Sequence, residues 1–153
     1  MKWAALITWV VTAGGGFVLL GLWLRGGGMS QAGRSGALIR PPLILTHFLL
    51  AASGLVLWII YVAADSDALA WIAFALLVIV ALLGFTMLAI WLQQRRAAAG
   101  PAAAAGPGPA GTGSSAIQAA ERSFPVPIVA AHGIVAAATL VLVLLTAAGV
   151  GGS

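Results

Sequence analysis

The sequence predicts an all-α integral membrane protein: a bundle of four transmembrane helices made of two repeated helical hairpins with pseudo-twofold symmetry. Three observations predict this fold, namely an apolar composition, four apolar segments of membrane-spanning length, and an internal repeat. Of the 153 residues, 62% are hydrophobic and 7% are charged, whereas ordinary globular domains contain about 25% charged residues. Because so few charges cannot cover the surface of a water-soluble fold, we expect most of the chain to lie in a lipid bilayer.

Four apolar segments have the length that a membrane-spanning helix needs, about 20 residues. They contain no Asp, Glu, Lys or Arg and lack the alternating polarity of barrel strands. The predicted helices cover residues 3–24, 42–64, 69–92 and 127–149. The first begins like a secretory signal peptide, but its apolar run continues well past the possible cleavage site at Ala13, so we expect it to be retained.

The connections between these helices differ in charge. A tight turn around Asp65 and Asp67 lies on the same side of the membrane as Lys2. A low-complexity Ala/Gly/Pro segment over about residues 97–120 is predicted to be disordered. Basic residues concentrate in short cytoplasmic loops. We therefore predict a multi-pass protein of the cell membrane with cytoplasmic arginine-rich loops and both termini outside. These loops contain Arg25, Arg34, Arg40, Arg95, Arg96 and Arg122.

Other features of the composition restrict the function further. The basic residues lie beside the helix ends, where they are explained by membrane topology. The sequence pI of about 11.3 therefore does not indicate a nucleic-acid partner. The chain has no cysteine, which excludes disulfides and thiolate metal sites. No set of residues resembles a catalytic constellation, and we do not expect an enzyme on its own. Tryptophans near the helix ends are predicted to form aromatic belts at the two membrane surfaces: Trp3, Trp23, Trp58, Trp71 and Trp91.

The internal repeat is the most informative feature of the sequence. Residues 3–24 align without a gap on residues 71–92, with nine of 22 positions identical, and residues 42–64 align on 127–149, with eight of 23 identical. Matches between rarer residues are unexpected by chance even in so apolar a chain. They are Trp3/Trp71, Gly16/Gly84, Phe17/Phe85, Trp23/Trp91, Pro42/Pro127 and His47/His132.

Each repeat is a hairpin that crosses the membrane and returns. The first hairpin occupies residues 1–64, and the second occupies residues 69–149, including the long loop. Both hairpins therefore enter the membrane in the same orientation, which predicts a pseudo-twofold axis along the membrane normal.

The two histidines are the candidate functional residues. His47 and His132 each follow a helix-starting proline by five residues, about 7–8 Å along a helix. Both helices start on the arginine side, so the two imidazoles are expected at one depth in the membrane. Polar side chains at such a depth are costly, and by default they are candidates for function.

Two imidazoles with no cysteine or carboxylate in the spans favour a b-type haem over zinc, which normally takes three or four protein ligands. We therefore expect His47 and His132 to be the metal ligands of one haem b. The residues predicted to give the macrocycle room, or to meet it at the cytoplasmic rim, are Ala51, Gly54, Ala136, Gly16, Gly84 and Arg40.

Two other interpretations of the histidines stay open. Small residues are the ordinary means by which membrane helices approach each other, and a histidine there can simply bond to a neighbouring helix. Another ligand such as a quinone could also occupy the site. The leading function is a small haem-binding membrane protein for electron transfer or haem handling. The alternative is a cofactor-free accessory or scaffold subunit, with the bilayer, other membrane subunits or a second copy as partners.

The predicted arrangement is similar to membrane b-type cytochromes in architecture, since it has four helices and one histidine on each of two of them. It departs from the better-known members in offering two histidines at one depth. The resemblance therefore implies one haem at most in this chain.

Overall fold

The computed structural model describes residues 1–30, 39–98 and 124–150. These residues form four helices in the order α1 (Lys2–Arg25), α2 (Pro41–Ala64), α3 (Asp67–Ala98) and α4 (Val126–Ala147). Each helix is long and apolar enough to cross a membrane. The all-helical fold with four candidate membrane spans, predicted from apolar length, is thus confirmed, and it indicates a multi-pass membrane protein.

The largest difference from the predicted helix bounds is at the end of α3. This helix continues to Ala98 instead of ending at Leu92, and its last turns carry Arg95 and Arg96. The apolar pattern marks only where the membrane-spanning part ends. Gln, Arg and Ala all have high helix propensity, and basic residues are favourable at a helix C-terminus. Apart from residues 97 and 98, which complete α3, the predicted low-complexity loop lies outside the described residues.

Prolines and glycines set the other helix ends. Pro41 and Pro42 occupy the first turn of α2, and Pro127 occupies that of α4, where a missing N–H breaks no helical hydrogen bond. α1 ends in a Schellman motif, in which Gly28 N–H donates to the Trp23 carbonyl at 2.9 Å and Gly27 N–H to the Leu24 carbonyl at 3.1 Å. Gly27 has φ +77°, a conformation that glycine adopts without steric cost.

The four helices form a ring of antiparallel neighbours. Packing is most extensive between α2 and α3 and between α1 and α4, and it is less extensive between α1 and α2 and between α3 and α4. Consequently α2 and α4, which carry the two histidines, lie on one diagonal of the ring. We refer to the end of the bundle with Arg25, Arg40 and Arg95 as the arginine end, and to the end with Asp65 and Asp67 as the aspartate end.

The α2–α3 turn is attached to the start of α1 at the aspartate end. Lys2 Nζ donates to Asp65 Oδ1 at 2.7 Å, and the Trp58 indole N–H donates to the Lys2 carbonyl at 3.3 Å. Asp65 has φ 54°, a left-handed conformation that aspartate tolerates better than most residues. Its N–H donates to the Tyr61 carbonyl at 2.8 Å, which closes α2.

The buried core occupies the half of the bundle next to the aspartate end. Its largest side chains stack on each other: ring centroids are 6.2 Å apart between Trp9 and Trp58 and 4.7 Å apart between Trp58 and Tyr61. Small residues allow the helices to approach around these rings. The core cluster consists of Ala5, Trp9, Trp58, Tyr61, Ala70, Ala73, Leu77, Val80 and Val143.

The tryptophans depart in part from the predicted aromatic belts. Trp3 and Trp71 are 62% and 47% exposed, as residues at a membrane surface would be, but Trp23, Trp58 and Trp91 are at most 5% exposed. The expectation that these three face the interface was wrong. Near the ends of a bundle, a tryptophan can equally fill space between helices, and sequence position alone does not distinguish the two.

Candidate functional site

A layer of the bundle between the core and the arginine end contains no buried residue. It comprises residues 13–22 of α1, 42–53 of α2, 81–90 of α3 and 127–138 of α4, and every one of these residues is half-buried or exposed. Buried residues reappear only beyond it, with Trp23, Ile39, Pro41 and Trp91 at the arginine end. We call this part of the bundle the histidine layer, because His47 and His132 lie within it. Its side chains are less deeply buried than those of the core.

Contacts between the helices show that these four ranges lie at one level. The rings of Phe17 on α1 and Phe48 on α2 meet edge to face, with centroids 5.4 Å apart. Gly16 of α1 lies against His132 of α4, and Gly84 of α3 lies against His47 of α2. The prediction that both histidines lie at one depth agrees with this register.

His132 packs on the glycines of α1. A Cβ atom built on Gly16 would lie 3.3 Å from Cε1 of His132, and one built on Gly15 would lie 3.3 Å from its Nδ1. The imidazole therefore occupies space that a side chain at either position would need. His132 Nδ1 also lies 3.0 Å from the backbone carbonyl oxygen of Thr12. Because a carbonyl only accepts, this bond requires the proton on Nδ1 and leaves the Nε2 lone pair free.

Two threonines connect α1 and α4 beside this hydrogen bond. The hydroxyl oxygens of Thr12 and Thr139 are 3.2 Å apart, and Thr139 is buried. Each hydroxyl also lies 2.8 Å from a carbonyl of its own helix, Thr12 from Thr8 and Thr139 from Val135. Only two hydroxyl protons are available for these three contacts, so one proton is shared between two acceptor oxygens. The pair is a polar contact between helices at the boundary of the core and the histidine layer.

His47 packs on α3 in a similar position but lacks the hydrogen bond. A Cβ atom built on Gly84 would lie 3.3 Å from Cε1 and 3.8 Å from Nδ1 of His47. The backbone carbonyl of Val80 is a weak hydrogen-bond acceptor beside the ring. The buried Nδ1 atom of His47 nevertheless makes no hydrogen bond of full geometry. A buried polar atom without a partner is uncommon and is a candidate for a function.

Each imidazole packs against a neighbouring helix, His132 on α1 and His47 on α3. Both residues are half-buried in these positions. The two residues that the sequence singled out thus lie at one level of the bundle, on the diagonally opposite helices α2 and α4.

The remaining predicted site residues lie in different parts of the bundle. Gly54 is buried against the Trp9 ring, since a Cβ atom there would lie 3.0 Å from Trp9 Cζ2, so it belongs to the edge of the core. Ala51 and Ala136 are half-buried within the histidine layer. Arg40 is exposed at the N-cap of α2, at the arginine end.

Sequence reasoning missed the role of the Thr12 carbonyl, because any residue supplies one and side-chain chemistry does not mark it. The contact between Thr12 and Thr139 was also missed. The available clue was that both threonines depart from the repeat predicted from the sequence, which has Val80 and Gly54 at the matching positions. Their bonds to carbonyls of their own helices are common for threonine within a helix.

The described residues offer two imidazoles as ligands and little else. Within residues 1–30, 39–98 and 124–150, no group of three or more His, Cys, Asp or Glu could hold a metal ion. Zinc sites normally need more ligands than two. An iron porphyrin needs only axial ligands from the protein, because the macrocycle supplies four nitrogens, and a pair of histidines suits that chemistry. A comparison with known proteins finds no family model, no curated protein and no solved structure that matches this chain.

Proposed function

We propose that this chain is a small membrane protein that binds one b-type haem between α2 and α4 through His47 and His132, in electron transfer or haem handling. The observation that carries the proposal is the histidine layer. There the buried core stops, and two imidazoles on diagonal helices lie at one level against glycines.

The residues of the layer fit the chemistry of a haem site. An iron-ligating histidine almost always donates its other ring N–H to a carbonyl or carboxylate. The Thr12 carbonyl accepts such a bond from His132 Nδ1 at 3.0 Å, which leaves Nε2 for the metal. Ala51 and Ala136 provide small side chains near the two ligands, and Arg40 provides a positive charge at the arginine end for carboxylates of the cofactor. When bound, the haem would supply one-electron chemistry that no side chain of this chain supplies.

A pseudo-twofold repeat is part of the proposal, because it explains why the histidines occur as a pair. The contact of His132 with Gly16 has its counterpart in the contact of His47 with Gly84. Burial matches as well at positions that the repeat makes equivalent. The equivalent pairs in which both residues are buried are Ala5 and Ala73, Trp9 and Leu77, Trp23 and Trp91, Gly54 and Thr139, and Trp58 and Val143. The match is incomplete, since Val80 and Tyr61 are buried whereas their counterparts Thr12 and Thr146 are half-buried, but it supports the proposed repeat.

The contacts between the two hairpins support the same symmetry. Each histidine packs on a glycine of the other hairpin, and the two extensive helix interfaces, α1 with α4 and α2 with α3, both join one hairpin to the other. A twofold axis along the membrane normal interchanges these two interfaces. We further propose that the arginine end is cytoplasmic and both termini are outside, because basic residues gather at the arginine end.

The test is an absorption spectrum of the full chain purified after expression with a supply of haem. A low-spin spectrum with a sharp α-band in the reduced protein is expected, as for a haem with two histidine ligands. His47→Ala and His132→Ala should each remove that six-coordinate spectrum, while both variants remain in the membrane because insertion depends on apolar length. Gly133→Ala is the matched control, since no atom lies within 4 Å of a Cβ built there.

A second function, a cofactor-free accessory subunit, is favoured by one specific observation. His132 already bonds to α1 and packs on its glycines, which is also how a purely structural histidine joins membrane helices. Replacing such a histidine would cost on the order of 1 kcal/mol. Purification without haem despite ample supply, together with unchanged assembly of both histidine variants, would favour this function. Its partners would then be other membrane subunits or a second copy of this chain.

A further inference from the structure

The two histidines differ in how firmly their rings are held, although they occupy equivalent positions of the repeat. His132 Nδ1 bonds to the Thr12 carbonyl at 3.0 Å, whereas the buried Nδ1 of His47 has no hydrogen bond. The difference coincides with two departures from the repeat. Thr12 is matched by Val80, and Thr139 is matched by Gly54.

These departures give the two helix interfaces different contacts. On the His132 side, the hydroxyls of Thr12 and Thr139 meet at 3.2 Å and link α1 to α4 at the residue whose carbonyl holds the imidazole. On the His47 side, neither Val80 nor Gly54 has a hydroxyl, and Gly54 lies against the Trp9 ring instead. His132 is therefore fixed in tautomer and orientation, because its Nδ1–H donates to the Thr12 carbonyl and the Thr12–Thr139 contact holds α1 and α4 together beside that bond. His47 has only the weaker contact with the Val80 carbonyl and lacks the threonine link.

We propose that His132 is the permanent axial ligand and His47 the exchangeable one, so that a small Lewis base such as carbon monoxide or a free imidazole can take the place of His47 on the iron. The inference rests on the proposed haem site and deepens it. When haem is bound, the exchange would replace the bond between iron and the imidazole nitrogen of His47 by a bond to the lone pair of the incoming ligand. No electron is transferred. A site of this kind suits haem transfer or ligand binding better than electron transfer, in which both axial ligands stay in place.

The two histidine variants should consequently differ when haem is supplied. His47→Ala should keep its haem in a five-coordinate form, because the tethered His132 remains, and should bind carbon monoxide after reduction at least tenfold faster than the wild type. His132→Ala should lose most of its haem on gel filtration. The reduced wild type should bind carbon monoxide slowly and completely, as expected when an internal ligand must first leave.

Thr12→Val provides a second variant that does not remove a ligand. It gives α1 the residue that α3 has at Val80 and removes the hydroxyl contact with Thr139. Haem dissociation from this variant, measured by transfer to an excess of a soluble haem-binding protein, should be at least tenfold faster than from the wild type. Thr86→Val is the control, because the Thr86 hydroxyl bonds only to the Leu82 carbonyl of its own helix, at 2.9 Å.

The outcomes separate this inference from the function on which it rests. If the wild type and all variants bind no haem, the proposed function fails. If the wild type binds haem but excludes carbon monoxide, or if both histidine variants keep haem equally well, the haem site stands and the assignment of a permanent and an exchangeable ligand is overturned. Equal dissociation rates for Thr12→Val and Thr86→Val would overturn the role of the threonine contact.

Discussion

Gly84 and His47 lie in contact across the interface of α2 and α3, and a Cβ atom on Gly84 would lie 3.3 Å from Cε1 of the imidazole. Gly16 and His132 have the same relationship, also at 3.3 Å, across the interface of α1 and α4. At this distance a methyl group forces the ring to shift by a few tenths of an ångström, and a larger side chain must displace it. Two glycines thus determine where two histidines can point.

A large residue at either glycine should therefore disturb the haem spectrum. We predict that Gly84→Leu and Gly16→Leu each lower the haem content of the purified protein at least fivefold, because the leucine occupies the space of the imidazole. Haem content is measured by absorption per chain. Gly14→Leu and Gly21→Leu are matched controls on α1, since nothing lies within 4 Å of a Cβ at either position. A comparable loss in the controls would mean that the effect is not specific to the contact with histidine.

The turn after α1 should be sensitive to the smallest substitution. A Cβ atom on Gly28 would overlap the buried Trp23 ring, so either the turn or the tryptophan has to move. We predict that Gly28→Ala destabilises the protein by about 1–3 kcal/mol, the usual range for overpacking a close-packed site. Thermal unfolding in detergent, followed by circular dichroism, measures the effect. Gly21→Ala should be neutral or slightly stabilising, because alanine has the higher helix propensity and the site is open.

Asp65 combines an ion pair with a left-handed backbone, and two substitutions separate these contributions. Asp65→Asn removes the charge that faces Lys2 but keeps a residue that tolerates φ 54°. We expect it to leave the melting temperature almost unchanged, because exposed ion pairs contribute little. Asp65→Ala should lower the melting temperature clearly. The backbone explanation is wrong if the two variants melt alike.

The proposed orientation can be tested with single cysteines, since the chain has none of its own. Cysteine at Ser66, in the turn at the aspartate end, should react with an impermeant thiol reagent on whole cells. Cysteine at Ser114, in the loop that joins α3 and α4, should react only after the membrane is opened. Labelling of Ser114 but not of Ser66 on intact cells would invert the orientation.

Apolar length predicted the membrane-spanning helices well, because a helix that crosses hydrocarbon must satisfy all its backbone groups within one apolar run. The same criterion could not find the end of α3, where the polar residues Gln94 and Arg95 continue the helix beyond the apolar segment. It also could not decide whether Trp23 faces lipid or a neighbouring helix. That choice depends on the rotation of the helix about its own axis, which the packing of all four helices sets together.

The sequence singled out residues of the candidate site but not their contacts. The predicted repeat pointed to His47, His132, Gly16 and Gly84, and the structure places each of these glycines against one of the histidines. Which helix each histidine meets depends on the order of the helices around the ring. The hydrogen bond to the Thr12 carbonyl depends on a backbone atom, so no residue type indicates it.

Titration of the purified, haem-free chain with haem tests the central claim most directly. The absorption change should saturate at one haem per chain and should show two histidine ligands, because the described residues contain one pair of histidines at one level. The double variant His47→Ala, His132→Ala should show no saturable change, although its helical circular dichroism matches that of the wild type. Saturable binding that is the same in the double variant, or no saturable binding by the wild type, would contradict a haem site between α2 and α4.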